Sequence, residues 1–412
     1  MLARALIGFI GVGMTFMPGT GAIAQNAKPD TALIALVEAN RHPFTVAADL
    51  NGPGARFLDA RTRESDFVLI GESHGNLETP RITDLLRRRL KGQGYDVFAV
   101  ETGPVITAEM VDRLRRADGL SALTDLARRY PFGFPFFWWR EEAELLDATV
   151  DDGWHVWGLD QEFVGGARYL LDRLQTLAPT ERARQLIARQ RRRAADGYDA
   201  YVESQRTDQA FMMTATPSEF AELRAAMEGA VGEATWILDE MEESAAVYQL
   251  YRMGANYESN HRRIRLMKRH LADSLAAYRA REGREAKVLL KFGSVHVGRG
   301  YSPLNQLDLG NQAAELAYAR GRESLHLTVI AAEYATRGGN AISALDQAPH
   351  FAPLLAALGS DQWVVVDLRA LRPYLHRRQN RERHEELAQM VFRYDAVIVT
   401  TVLRSSADLV PD

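Results

Sequence analysis

Two histidines and three acidic residues each stand just beyond a short apolar run in this sequence. Phe67-Val68-Leu69-Ile70 leads into Gly71-Glu72-Ser73-His74-Gly75, and Val97-Phe98-Ala99-Val100 leads into Glu101. His155 to Leu159 leads into Asp160, and Val288 to Phe292 leads into Gly293-Ser294-Val295-His296. An imidazole within hydrogen-bond reach of a carboxylate acts as a general base on water. A second imidazole donates to a developing oxyanion or protonates a leaving oxygen. Glu72, His74, Glu101 and His296 are therefore the expected catalytic residues. Each has a structural alternative: a carboxylate at a strand end also caps helices, and a histidine also serves as a satisfied core residue. Ser73 lacks the G-x-S-x-G elbow of a serine nucleophile, because Glu72 and His74 flank it directly. An activated water is the expected attacking group, with Ser73 as a turn residue. Small residues at 71, 75 and 293 let backbone and substrate approach closely.

Such residues meet only if the runs before them are neighbouring strands. Apolar runs of four to six residues ending in glycine or an acid read as buried strands. Further runs at Leu325–Ala332, Trp363–Leu368 and Ala396–Thr401 bring the expected sheet to about seven strands. Helical patterns separate them, so the predicted fold is α/β, with a mainly parallel sheet covered by helices. Residues 165–280 read as almost wholly helical and are expected to form an inserted helical subdomain of a single domain spanning 25–412. In open α/β sheets, ligands bind at the carboxyl ends of the strands. A helix beginning near Glu78 is expected to aim its amides at the first strand end, where an anion is favoured. Asp160, Arg140 and Tyr301 are the expected substrate-binding side chains. Phe132, Phe134, Phe136, Phe137, Trp138 and Trp139 are expected either to line an apolar pocket or to pack over the sheet.

Composition narrows the function classes. The chain has 412 residues, 46% hydrophobic and 25% charged, with a formal charge of −4. That balance gives no basic field for nucleic acid. Arg4 followed by the uncharged run Ala5–Met17, a Pro18-Gly19 break and Ala22-Ile23-Ala24 reads as a cleavable signal peptide over residues 1–24. The expected location is periplasmic or secreted, without stable membrane insertion after cleavage. Cysteine is absent, so no disulfide supports the fold.

Five segments, in order, resemble one superfamily, which includes erythromycin esterases, the haem-uptake protein ChaN and the TraB/Tiki proteins. They are VLIGESHGN (68–76), VFAVETG (97–103), WWREEAELLDATVDDGWHVWGLD (138–160), NHRRIRLMKRHL (260–271) and VLLKFGSVHVGRG (288–300). The resemblance places Arg263 in an Arg-x-x-x-Met helix and adds it to the expected substrate-binding residues. It implies that Glu72 and His74 activate water, that Glu101 and His296 complete the site, and that an ester or lactone of a small molecule is cleaved without a cofactor. The single residue between Glu72 and His74 is closer to the ChaN spacing than to the esterase spacing. Two alternatives therefore stand beside the esterase. One is a divalent metal held by His74, Glu101 and His296. The other is a haem or small-ligand binding protein, with Tyr301 as an axial ligand.

Overall fold

Along the central strands, apolar side chains alternate between two cores. Val68 and Ile70 pack with Phe98, Leu289 and Leu327 on one face. Phe67 and Leu69 pack with Val97, Val288 and Leu290 on the other. This is the two-residue period of a strand buried on both sides. Each such side chain, once buried, contributes about 1.5–3 kcal/mol. The computed structural model describes residues 30–116, 119–204 and 206–410, so the proposed signal peptide lies outside the described residues. No helix among the described residues is long and apolar enough to cross a membrane.

The strands are β1 (Arg41–Val46), β2 (Leu50–Asn51), β3 (Ser65–Glu72), β4 (Val97–Val100), β5 (His155–Gly158), β6 (Val288–Gly293), β7 (Glu323–Ala335), β8 (Ala341–Ser343), β9 (Trp363–Asp367) and β10 (Ala396–Arg404). They form one sheet in the order β2-β1-β9-β10-β7-β3-β6-β4-β5, with β8 paired to β7. The six strands from β10 to β5 run parallel. All seven strand segments expected from sequence are present. The three additional strands are β1, β2 and β8, and none carries a buried apolar run. In β1 only Phe44 is buried, and Pro43 lies beyond the two residues that β2 pairs, a position where its missing N–H costs little.

Between β5 and β6 the chain is helical from Ala167 to Glu282, its longest members being Glu181–Ser204, Gly232–Arg252 and Asn256–Glu282. Leu170, Leu171, Met212 and Met241 share one core with Val68 and Ile70 of the sheet. The last helix instead packs Ile264, Met267, Leu271 and Leu275 on the opposite face. Its Gly283 takes the left-handed conformation (φ 67°) that ends the helix and turns the chain back into the sheet. These helices thus bring Arg263 to the same end of the sheet as the strand termini.

Candidate active site

β6 lies between β3 and β4, and its register aligns the strand ends. Glu72 pairs with Gly293, while Lys291 pairs with Ile70 on one side and Val100 on the other. Glu72 and Lys291 continue the face of Val68, Ile70 and Leu289, so both point toward the helix Arg140–Asp151 packed there. Glu142, on the inner side of that helix, completes a buried triad. The Lys291 ammonium donates to Glu72 Oε1 at 2.5 Å and to Glu142 Oε1 at 2.5 Å. All three side chains are at most 4% exposed.

His74 and His296 meet across Glu101. His74 Nδ1 lies 2.9 Å from Glu72 Oε1, and His296 Nδ1 lies 2.9 Å from Asp308 Oδ2. An ionised carboxylate only accepts, so each Nδ1 carries a proton and each Nε2 is left without one in the neutral ring. Both Nε2 atoms face Glu101, His74 at 3.5 Å from Oε2 and His296 at 3.5 Å from Oε1. The Gly293 N–H donates to Glu101 Oε2 at 2.5 Å, and Arg263 donates to Oε1 at 2.9 Å. The same Arg263 Nη2 also donates to Asp160 Oδ2 at 2.5 Å, and Nε donates to Asp160 Oδ1 at 2.9 Å. Thus Glu72, His74, Glu101 and His296 come together, and Asp160 and Arg263 support them from behind Glu101.

Charge sets the state of these groups. Burial alone pushes His74 down, and the carboxylates of Glu101 and Glu72 outweigh it, so its pKa lies above the ordinary histidine value. His296 is raised in the same way, against burial, by Asp308 and then Glu101. Burial pushes Glu101 up, but His74, His296 and Arg263 together hold it below the usual carboxylate value. Glu72 is likewise held low against burial by Lys291 and His74. Glu142 goes the other way: burial dominates and pushes it up to about 7.

The site is roofed. Phe136 stacks on the His74 ring, with centroids 4.3 Å apart and planes at 26°. Its backbone is left-handed (φ 68°), as is that of Phe132 (φ 54°). Such strain costs about 1–3 kcal/mol at a bulky residue and persists only where surrounding packing enforces it. Trp139 closes on Gly75, where a Cβ would sit 3.0 Å from the indole. The aromatic segment thus covers the imidazole and packs over the sheet. The chain after β10 ties this cover down: Ser406 N–H donates to Gly75 O, Arg140 N–H to Ala407 O, and Leu409 N–H to Trp138 O, all at 2.8–2.9 Å. Under it, His74 keeps 10% exposure and His296 2%. Clefts of about 600–670 Å³ lie elsewhere, one of them lined by Arg224, Trp236 and Arg269, and hold none of these residues.

Not every expected group joins this cluster. Arg140 is outside the cluster. It starts its helix and acts on Glu144, one turn along, while Glu142, about 200° further round the helix, is the residue aimed inward. Tyr301 is 71% exposed in the loop clasped by its bridge to Leu307 and does not reach the imidazoles. At the start of the helix from Glu78, Asn76 Oδ1 accepts from Thr79 N–H at 2.8 Å, so that amide is already taken. No three His, Cys, Asp or Glu side chains among the described residues are grouped so as to hold a metal ion. His74 and His296 instead each face a Glu101 oxygen with Nε2 at 3.5 Å.

Sequence reasoning missed Lys291, Glu142 and Asp308. Lys291 had a signal, since one ammonium inside the apolar run Val288–Phe292 demands buried partners. Asp308 caps the helix Leu309–Ala319 through Leu309 N–H and is indistinguishable from an ordinary cap in sequence. Glu142 is one of three glutamates in Glu141–Glu144, and only packing selects it.

No family model matches the chain, and no curated protein matches it by sequence. Solved structures do resemble it. A succinoglycan biosynthesis protein superposes with a TM-score of 0.56 at 13% identity, over 92% of this chain and 99% of its own. A Bacillus cereus protein gives 0.56 at 11%, with the same coverage. A mutant of the erythromycin esterase EreC in its open conformation gives 0.54 at 13%, over 86% of this chain and 94% of its own. At such identities the likeness is one of architecture: the chain has the α/β fold seen in an erythromycin esterase, as its ordered motifs led us to expect.

Proposed function

We propose that the chain is a hydrolase that cleaves an ester or lactone with a water activated by His74. The observation that carries this reading is the pair of imidazoles, each fixed at Nδ1 by its own carboxylate, with both Nε2 atoms turned to Glu101. Neutral His74 accepts the proton of a water at Nε2 while its Nδ1–H stays on Glu72. The water oxygen bonds to the carbonyl carbon, and the carbonyl oxygen takes the negative charge. His296, as imidazolium, offers its Nε2–H to that oxygen and then to the departing alkoxide, while Asp308 holds its other side. Glu101 keeps both rings aimed at the same space. The esterase among the fold relatives supports an ester as the bond class. Export to the periplasm or medium is part of the same proposal.

The site supplies its positive charge from its own side chains. Lys291 and Arg263 stand beside Glu72 and Glu101, and both disfavour a further cation there. The reading is therefore metal-independent. Purified protein incubated with p-nitrophenyl esters and a macrolactone in chelating buffer should release acid and alcohol above the buffer rate. Turnover that appears only when a divalent metal is restored would replace the water–histidine reading with a metal-dependent one. No turnover on any ester or lactone would remove it.

A further inference from the structure

Lys291 is an expensive residue for its place. It sits in the middle of β6, paired with strands on both sides, 4% exposed. Burying an ammonium costs several kcal/mol, and a paired buried charge is seldom more stable than well-packed apolar residues of the same volume. Leu289, on the same face of β6, is a fully buried apolar residue. What Lys291 provides is a grip on one oxygen. Glu72 Oε1 takes both the Lys291 ammonium at 2.5 Å and His74 Nδ1 at 2.9 Å. Without the ammonium, that carboxylate is fixed only by the imidazole it is supposed to aim. Glu142 holds Lys291 from the helix side at 2.5 Å. The chain of contacts therefore runs from the helix, through the central strand, to the working histidine.

We infer that Lys291, held by Glu142, is a positioning residue that locks Glu72 and thereby aims His74 Nε2 at Glu101. Neither Lys291 nor Glu142 touches the reacting atoms; Lys291 acts through Glu72, and of the triad Glu142 contacts only Lys291. The inference rests on the hydrolytic reading for its kinetic consequence and on geometry alone for its spectroscopic one.

The test uses the full chain with ¹⁵N-labelled histidine. In the wild type, the His74 Nδ1–H, bonded to Glu72 and buried, should give a downfield proton resonance slow to exchange with water. Lys291→Met alone leaves two buried carboxylates together and endangers folding, so the working variant is Lys291→Met with Glu142→Gln, which removes both charges. Glu142→Gln alone keeps the Lys291–Glu72 contact. The double variant should lose or shift the His74 resonance and drop kcat roughly 100-fold with KM nearly unchanged, the scale of a misaimed catalytic group. Glu142→Gln should keep the resonance and stay within about threefold of wild-type kcat, because the aiming contact remains. A folded double variant with the wild-type resonance and kcat overturns the inference and leaves the triad purely structural. A shifted resonance in a protein that hydrolyses no ester sustains the positioning role and defeats the hydrolytic reading alone.

Discussion

Replacing Gly293 by alanine adds one methyl group at the place where the two imidazoles and Glu101 meet. The backbone at Gly293 is ordinary for any residue (φ −52°, ψ 139°), so the change carries no conformational strain of its own. The new Cβ lies 2.9 Å from His74 Nε2 and 3.3 Å from Glu101 Oε2. Comfortable contact begins near 3.5 Å, so His74 must retreat by roughly 0.6 Å. It has little room to do so, since Phe136 lies flat on its ring and Glu72 holds Nδ1. A displacement of this order, together with loss of the space for water, should cost roughly 30- to 100-fold in kcat/KM, about 2–2.7 kcal/mol of transition-state stabilisation. Overpacking should cost a further ~1–3 kcal/mol of folding stability. The assay is kcat/KM on an ester that the wild type cleaves, with a melting curve on the same samples. A folded Gly293→Ala enzyme with wild-type kcat/KM would refute the placement of the attacking water beside His74 Nε2.

Three other substitutions probe the charges. Asp308→Asn preserves the cap on Leu309 but no longer supports the His296 imidazolium; kcat should fall at least about 100-fold and the pKa of His296 should drop, which histidine NMR reads directly, whereas an unmoved His296 titration would detach Asp308 from the chemistry. Arg263→Met leaves Glu101 and Asp160 buried without their guanidinium and should cost about 3–5 kcal/mol in denaturant unfolding, and a loss below about 1 kcal/mol, the range of an exposed pair, would show that solvent already screens them. Glu142 keeps its proton up to about pH 7 in the folded protein, against about 4.5 for an ordinary glutamate, so it contributes stability that is full below pH 4.5 and lost as pH rises through 7. Glu142→Gln should remove that decline, roughly 3 kcal/mol, from the stability–pH curve, and parallel curves for the two proteins would show that Glu142 does not titrate there. For the reaction itself, His74 must be neutral and its pKa is raised, so kcat/KM should climb with an apparent pKa above 6.5; a rising limb centred below 6.5 would assign the base to another group.

How much of this was legible in the sequence depended on whether the signal was local. Strands such as Phe67–Ile70 and Val288–Phe292 are short apolar runs closed by glycine, and they were found because burial on both faces removes polar alternation. β1, with Arg41, His42 and Pro43, carries no apolar pattern, because β2 covers only Thr45 and Val46 and leaves this part of the strand open on one side. Glu72, His74, Glu101 and His296 were visible because each interrupts an apolar run at a strand end. The grouping of these ends follows from register, with Glu72 opposite Gly293, and register is a property of the folded sheet. Arg140 and Tyr301 were chosen for their chemistry and proximity in sequence. Helix rotation turned the first away from the cluster in favour of Glu142, and a solvent-facing loop carried the second outward. Phe136 stands between these cases: the aromatic cluster was evident, but its stacking on His74 depends on a left-handed turn that no residue type advertises.

The proposed chemistry depends on His74 and His296 acting as one unit through Glu101. Its most direct test is kcat for His74→Ala, His296→Ala and the double variant, on the same ester, in chelating buffer. Residues that act together are strongly non-additive. Each single change should lower kcat by at least about 100-fold, with the double variant falling little further than the worse single one. Wild-type kcat in either single variant, or losses that simply multiply in the double, would contradict it.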